Sequence, residues 1–193
     1  IRRQRQMCIR DRHFIIAPSV SAEHGIEMKN GSPVDYSTAN GEQTAGRIFT
    51  LPAYQDIEMV YDLYTHVIKA SECLGIDSAF REKVTIARNK LLPLKIGRYG
   101  QLQEWIDDVD NPRDHHRHIA HLYALYPGNM ISYSQTPALA LAVKKSLEMR
   151  GKGKFGERWP HTGGNWSMAW RTALWTRLYE GDPVSYTHLT LPT

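Results

Sequence analysis

Two sets of residues in this sequence carry more chemistry than a fold requires. The larger lies in 97–128, GRYGQLQEWIDDVDNPRDHHRHIAHLYALYPG. Gln101, Gln103, Glu104 and Trp105 form one short run. As extended chain it puts Gln101, Gln103 and Trp105 on one face and Glu104 on the other. An acidic loop from Asp107 to Asp114, broken by Asn111-Pro112, follows. Then come His115, His116, Arg117, His118 and His121. With Asp114 as N-cap, a helix here places His118 and His121 one turn apart on one face. Leu122 and Leu125 lie near them, so that face points inward. Imidazoles turned inward with leucines make the floor of a polar pocket or satisfy buried polar groups. The second set centres on Glu23, on a loop after Pro18, Ser19 and Ser21 and before His24.

Three readings of the histidines compete. They can be a solvated face, a structural metal site or a pocket. The His-x-x-His-x-x-His spacing lacks the i, i+4 pair of a zinc helix, and no cysteine lies nearby. No metal and no cofactor are therefore expected. A pocket of aromatics with Gln, Glu, Arg and His is what a sugar site uses, with flat rings for sugar faces and bidentate groups for hydroxyls. Glu23 by itself reads as a surface carboxylate, the usual state of a loop glutamate.

The run Gly100-Gln101-Leu102-Gln103-Glu104-Trp105, the run His115 to Leu122 (HHRHIAHL) and Tyr126-Pro127-Gly128 closely resemble the catalytic domain of glycoside hydrolase family 95. That family comprises α-L-fucosidases acting on α-1,2-linked fucose, with some α-L-galactosidases. The resemblance implies a mainly α fold, part of an (α/α)6 barrel. It extends to Pro18, Ser19, Ser21 and Glu23, which match the family's Pro-Ser-x-Ser-Pro-Glu-Asn stretch, whose Glu is the general acid. Ala22 and His24 depart from that pattern. A general acid must hold its proton near neutral pH, and a charged His24 nearby would oppose this. By this resemblance Glu23 is the catalytic acid and Glu104 its rival. Arg117, His118, His121 and Trp166 bind substrate, with Gln103 and Glu104 in or behind the site. The family's Asn-x-Asn and Gln-x-Asp-Gly-Asn-Phe-Gly stretches, which serve the attacking water, are absent from this sequence. The partners implied are a fucosylated glycan and the remainder of the catalytic domain. A carbohydrate-binding helical protein without catalysis is the alternative.

The elements that must position these residues are mostly helical. His13 to Ile16 reads as a short buried strand or extended segment, and 25–52 as loop with at most short strand. Ala53 to Gly75 has helical spacing at Ile57, Val60, Tyr61, Tyr64, Val67, Ile68 and Leu74. A helix over about Ser78–Leu91 follows, with Asp77 or Ser78 as cap and Phe80, Val84, Ala87 and Leu91 inward. Thr136 and Pro137 open another, with Leu139, Leu141, Ala142, Val143 and Leu147, closed by Gly151. Trp166 to Leu178 is the last, with Trp166, Trp170 and Leu174 on one stripe. The Gly-rich loop between these two lacks phosphate-cradle spacing.

The 193-residue chain is of one-domain length. Residues 1–12 and 183–193 resemble translated sequencing-adapter read-through, so 13–182 is the expected catalytic-domain portion. Arg2, Arg3, Arg5, Arg10 and Arg12 against Asp11 account for the whole net charge of +4. The basic balance therefore does not argue for nucleic acid or an acidic membrane. No apolar run is long enough to span a bilayer. Cys73 has only Cys8, in the suspect segment, as a possible partner. A partial barrel leaves helix faces without neighbours, so this portion by itself is expected to fold poorly.

Overall fold

The computed structural model describes residues 13–29, 32–33, 46–48, 52–114, 116, 118–151 and 165–183. The terminal segments read as foreign, Pro183 apart, and the Gly-rich loop 152–164 lie outside that description. So do His115 and Arg117.

The helical spacing after Ala53 produces α1, Tyr54–Leu74, which buries Tyr54, Ile57, Glu58 and Ile68. Gly75 ends it at φ 66°, a left-handed conformation that glycine adopts without a Cβ clash. α2, Ser78–Asn89, packs back against α1. Asp77 precedes it at φ 53° and its side chain makes no cap bond. The inward stripe is narrower than the spacing predicts. Val84 is buried, whereas Phe80 is 57% exposed and Leu74 68%. The physical reason is that a single neighbouring helix covers only part of an amphipathic face. Met59, Leu63, Ile76 and Ile86 are also exposed on this hairpin.

The segment His13–Ile16 is extended, as expected. Phe14 bridges Leu91 in parallel, donating to Lys90 O at 2.6 Å and accepting from Leu92 N at 3.0 Å. Phe14, Ile15 and Ile16 pack on Tyr54, Ile57, Leu91 and Leu92. The loop-like region after Gly25 carries a small antiparallel sheet of β1 (Ile26–Lys29), β2 (Ser32–Pro33) and β3 (Gly46–Ile48), in the order β2-β1-β3. Ile26 stands opposite Ile48 and Met28 opposite Pro33.

α3, Pro137–Met149, starts at its proline and buries Ala140, Ala142, Val143 and Leu147. Thr136 is its N-cap residue, as expected, but the side chain makes no cap bond. Its Oγ1 instead donates to Ser132 O at 3.1 Å and accepts from Ser132 N at 2.9 Å. Leu141, expected inside, is 53% exposed. α4 spans Asn165–Arg177. Leu174, Trp175 and Leu178 join α3 and Leu102, Ile119, Leu122, Leu125 and Ile131 in the main apolar core.

The expected helix from Asp114 does not form. Among the described residues of this stretch, only Ala120–Leu122 is helical, as one 3-10 turn. Asp114 Oδ1 accepts the His116 N–H at 2.8 Å, the local bond that starts either a helix or an Asx turn. Tertiary contacts decide for the turn. The His116 ring stacks on His24 at 4.4 Å, and its Nε2 lies 3.2 Å from Ala22 O. His118 and His121 therefore do not share a helical face.

Candidate active site

Glu23 sits third in a tight turn from Ser21 to His24, closed by His24 N donating to Ser21 O at 3.0 Å. Its φ is 50°, a conformation that costs a non-glycine residue about 1–2 kcal/mol. The side chain is 64% exposed, and its Oε2 lies 3.2 Å from His118 Nε2. The ring of buried His118 lies 5.1 Å from the half-exposed Trp166 ring, and Trp166 stacks on Trp170 at 5.8 Å. An acid, an imidazole and an indole platform thus meet at one surface.

Beneath them is a buried charged cluster centred on Glu104, which is 1% exposed. Ser21 Oγ donates to its Oε1, and His24 Nδ1 lies 2.8 Å from the same oxygen. Arg150, at the end of α3, donates to Oε2, and His121 Nδ1 stands 3.6 Å from that oxygen. Burial works to raise the Glu104 pKa. The charges of Arg150, His24 and His121 and the His24 hydrogen bond outweigh it and hold the group well below the usual carboxylate range.

His24 bridges two acids, with Nδ1 on Glu104 and Nε2 on Asp114 Oδ2. Ionised carboxylates only accept, so both nitrogens donate and the ring is an imidazolium. Burial opposes this state, but Glu104, with the hydrogen bonds from both acids, raises the His24 pKa above 6.5. Asp114 is held far below its ordinary value, burial being outweighed by the His24 bond and by Arg150. His116, stacked on this cation, is pushed down to about 4 by burial and by the His24 charge. It is neutral, and its Nε2–H donates to Ala22 O. Burial likewise pushes His121 down to about 4, against the pull of Glu104.

The side-chain amide of Gln101 ties this cluster to the acidic loop. Its Nε2 donates to Asp110 at 2.9 Å and Asp108 at 3.2 Å. Gly97 allows the approach, since a Cβ there would meet Gln101 Nε2 at 2.1 Å. Asp110 Oδ1 accepts the Glu104 N–H at 3.3 Å. Burial, then the Glu104 charge, raises Asp110 to about 7. The extended reading of this run holds only in part. Isolated bridges pair Leu102 with Ile96 and Trp105 with Ala53, and all of 101–105 is buried. Leu102 and Trp105 enter different apolar clusters.

Among the expected site residues, Glu23, His118 and Trp166 meet at the surface. Glu104 and His121 lie directly below. Gln103 is buried, its Oε1 without a hydrogen-bond partner among the described residues. Arg117 lies outside the described residues. Sequence reasoning missed Ser21, Asp110, Asp114 and Arg150 as members of the cluster and read His24 only as a departure. The i, i+3 spacing of Ser21 and His24 around Glu23 was a usable turn signal. Arg150 gave none, being 46 residues from Glu104. Among the described residues no group of His, Cys, Asp and Glu is arranged to hold a metal ion. No helix among them is long and apolar enough to cross a membrane.

Residues 4–191 match the glycosyl hydrolase family 95 catalytic domain. Alpha-L-fucosidase 2 of Arabidopsis thaliana is 32% identical over 166 residues, covering 86% of this chain and 17% of that protein. Probable alpha-fucosidase A of Aspergillus niger is 33% identical over 159 residues, 80% of this chain and 19% of that protein. The protein of the same name from Aspergillus oryzae is 30% identical over 139 residues, 67% and 18%. The match defines a glycoside hydrolase catalytic domain by class. The chain belongs to glycoside hydrolase family 95, and its mainly helical fold is part of that family's (α/α) barrel. It spans less than a fifth of the length of these relatives.

Proposed function

We propose that this stretch supplies the acid side of an inverting hydrolysis of terminal α-L-fucosyl linkages, α-1,2-linked fucose foremost. The observation that carries the reading is Glu23 facing His118 across 3.2 Å beside the exposed Trp166 ring. The names of the relatives favour fucose as the sugar. In this reading Glu23 gives its proton to the glycosidic oxygen as the bond from that oxygen to the anomeric carbon breaks. Water attacks the same carbon from the opposite face, and its proton passes to a base supplied by residues outside this stretch.

His118 Nε2 can accept from a protonated Glu23 or donate to an ionised one, so the pair keeps the proton at the reacting surface through both states. Trp166 offers a flat face to the sugar ring. Arg117, next in sequence to His118, is the candidate bidentate ligand for sugar hydroxyls. Gln103, Glu104 and His121 act from beneath, holding the binding groups in place.

The test follows hydrolysis of an α-1,2-fucosyl galactoside by the full-length protein with proton NMR. The expected result is release of fucose that appears first as the β anomer. First appearance of the α anomer would overturn inversion, and absence of fucose release would overturn the function.

A further inference from the structure

We propose that Glu104 is a positioning residue, clamping both ends of the Ser21–His24 turn so that Glu23 at its tip is aimed at the substrate beside His118. The proposal rests on Glu23 being the acid.

Its first support is convergence. Ser21 and His24 are the first and fourth residues of the turn, and their side chains end on the same oxygen, Glu104 Oε1. Glu104 is 80 or more residues away in the chain and almost wholly buried. A carboxylate serving only as counter-ion to Arg150 would have no need of the turn. Here Arg150 fixes Oε2, leaving Oε1 for the two turn ends.

The second support is closure of the ring of contacts. Asp114 receives His24 Nε2 on one oxygen and the His116 N–H on the other. His116 Nε2 then returns to the carbonyl of Ala22, the second residue of the turn. Ser21, Ala22 and His24 are thus all held from behind, and the side chain of Glu23 points to the open side. The third support is the φ of 50° at Glu23. Backbone in this region persists where its surroundings over-determine it, and the clamp is that surrounding. The same clamp fixes the turn relative to the segment that carries His118, because His24 and His116 bind it through Asp114.

A general acid matters most when the leaving group is poor, so leaving-group dependence separates aiming of the acid from general damage. Glu104→Gln and Glu23→Gln are compared with wild type in the full-length protein. One substrate is a nitrophenyl fucoside, whose leaving group needs little protonation. The other is a fucosyl galactoside. Glu23→Gln is expected to lose far more turnover on the galactoside than on the aryl substrate. Glu104→Gln is expected to show the same bias, with kcat falling about tenfold or more further on the galactoside, the scale expected for misplacement near 1 Å. KM on the two substrates should move together. Glu104→Asp should restore part of the bias, and Ser21→Ala, which removes one clamp bond, should show it in weaker form. Equal losses of Glu104→Gln and Ser21→Ala on both substrates, with the bias intact in Glu23→Gln, would overturn the clamp alone. Absence of bias in Glu23→Gln would instead overturn the acid assignment beneath it.

Discussion

Glu58 and Glu104 are both glutamates removed from water, at 0% and 1% exposure, yet they sit in opposite electrostatic settings. Among the described residues Glu58, on α1, accepts one bond, from Ala124 N at 3.0 Å, and its other oxygen has no hydrogen-bond partner. Burial therefore dominates and raises its pKa well above 4.5, so it is a neutral acid bracing the turn after His121. Glu104 is equally buried but ringed by Arg150, His24, His121 and Ser21, and it stays ionised. Burial sets the cost of charge, and partners decide whether the charge is kept. A neutral buried acid can brace a backbone. An ionised one surrounded by donors can fix several side chains at once.

The largest effect expected from this contrast is on stability. Glu104→Gln leaves Arg150 and His24 buried with Asp114 as their remaining counter-charge and should cost about 3–5 kcal/mol. Glu58→Gln replaces a neutral acid with a neutral amide of the same shape and should cost no more than about 1 kcal/mol. Chemical denaturation of the full-length variants measures both. Equal costs would break the distinction between the two sites.

A second, smaller effect is the opposite pH dependence of the two variants. The unfolded chain ionises both groups near 4.5, their ordinary value. Folded Glu58 keeps its proton above that pH, so it weakens the fold increasingly as pH rises from about 4.5. Glu58→Gln should then gain on wild type over the same rise. Folded Glu104 stays ionised below 4.5, so its stabilisation is complete above that pH and fades as pH falls. The penalty of Glu104→Gln should shrink below pH 4.5. Melting temperatures from about pH 2 to 4.5 read the Glu104 slope and from about pH 4.5 to 7 the Glu58 slope, and parallel slopes would contradict the assignment of charge.

The same contrast shows what the sequence could and could not disclose. α1 was legible because its apolar spacing and Gly75 are local signals, and its ends fall within a residue of the expected ones. Phe80, Leu74 and Leu141 were misplaced inside because periodicity identifies an apolar face without saying whether a neighbour covers it. The helix expected from Asp114 failed because its capping geometry is shared with an Asx turn, and stacking on His24 selected the turn. The Glu104 cluster joins residues 46 to 90 positions apart through Arg150, Ser21, His24 and Asp114. Nothing local marks such an assembly. What was legible of the site came from residue types in the QLQEW and HHRHIAHL runs and from the resemblance that brought in Glu23.

The central claim is that Glu23 does chemistry while the cluster beneath it does the holding. Turnover of a fucosyl galactoside by full-length Glu23→Gln, with its melting temperature taken alongside, tests this most directly. The account predicts a loss of about 10²–10⁴-fold in turnover, with a stability change within about 0.5 kcal/mol, as expected for an exposed side chain. Turnover near wild type in a folded variant would contradict it.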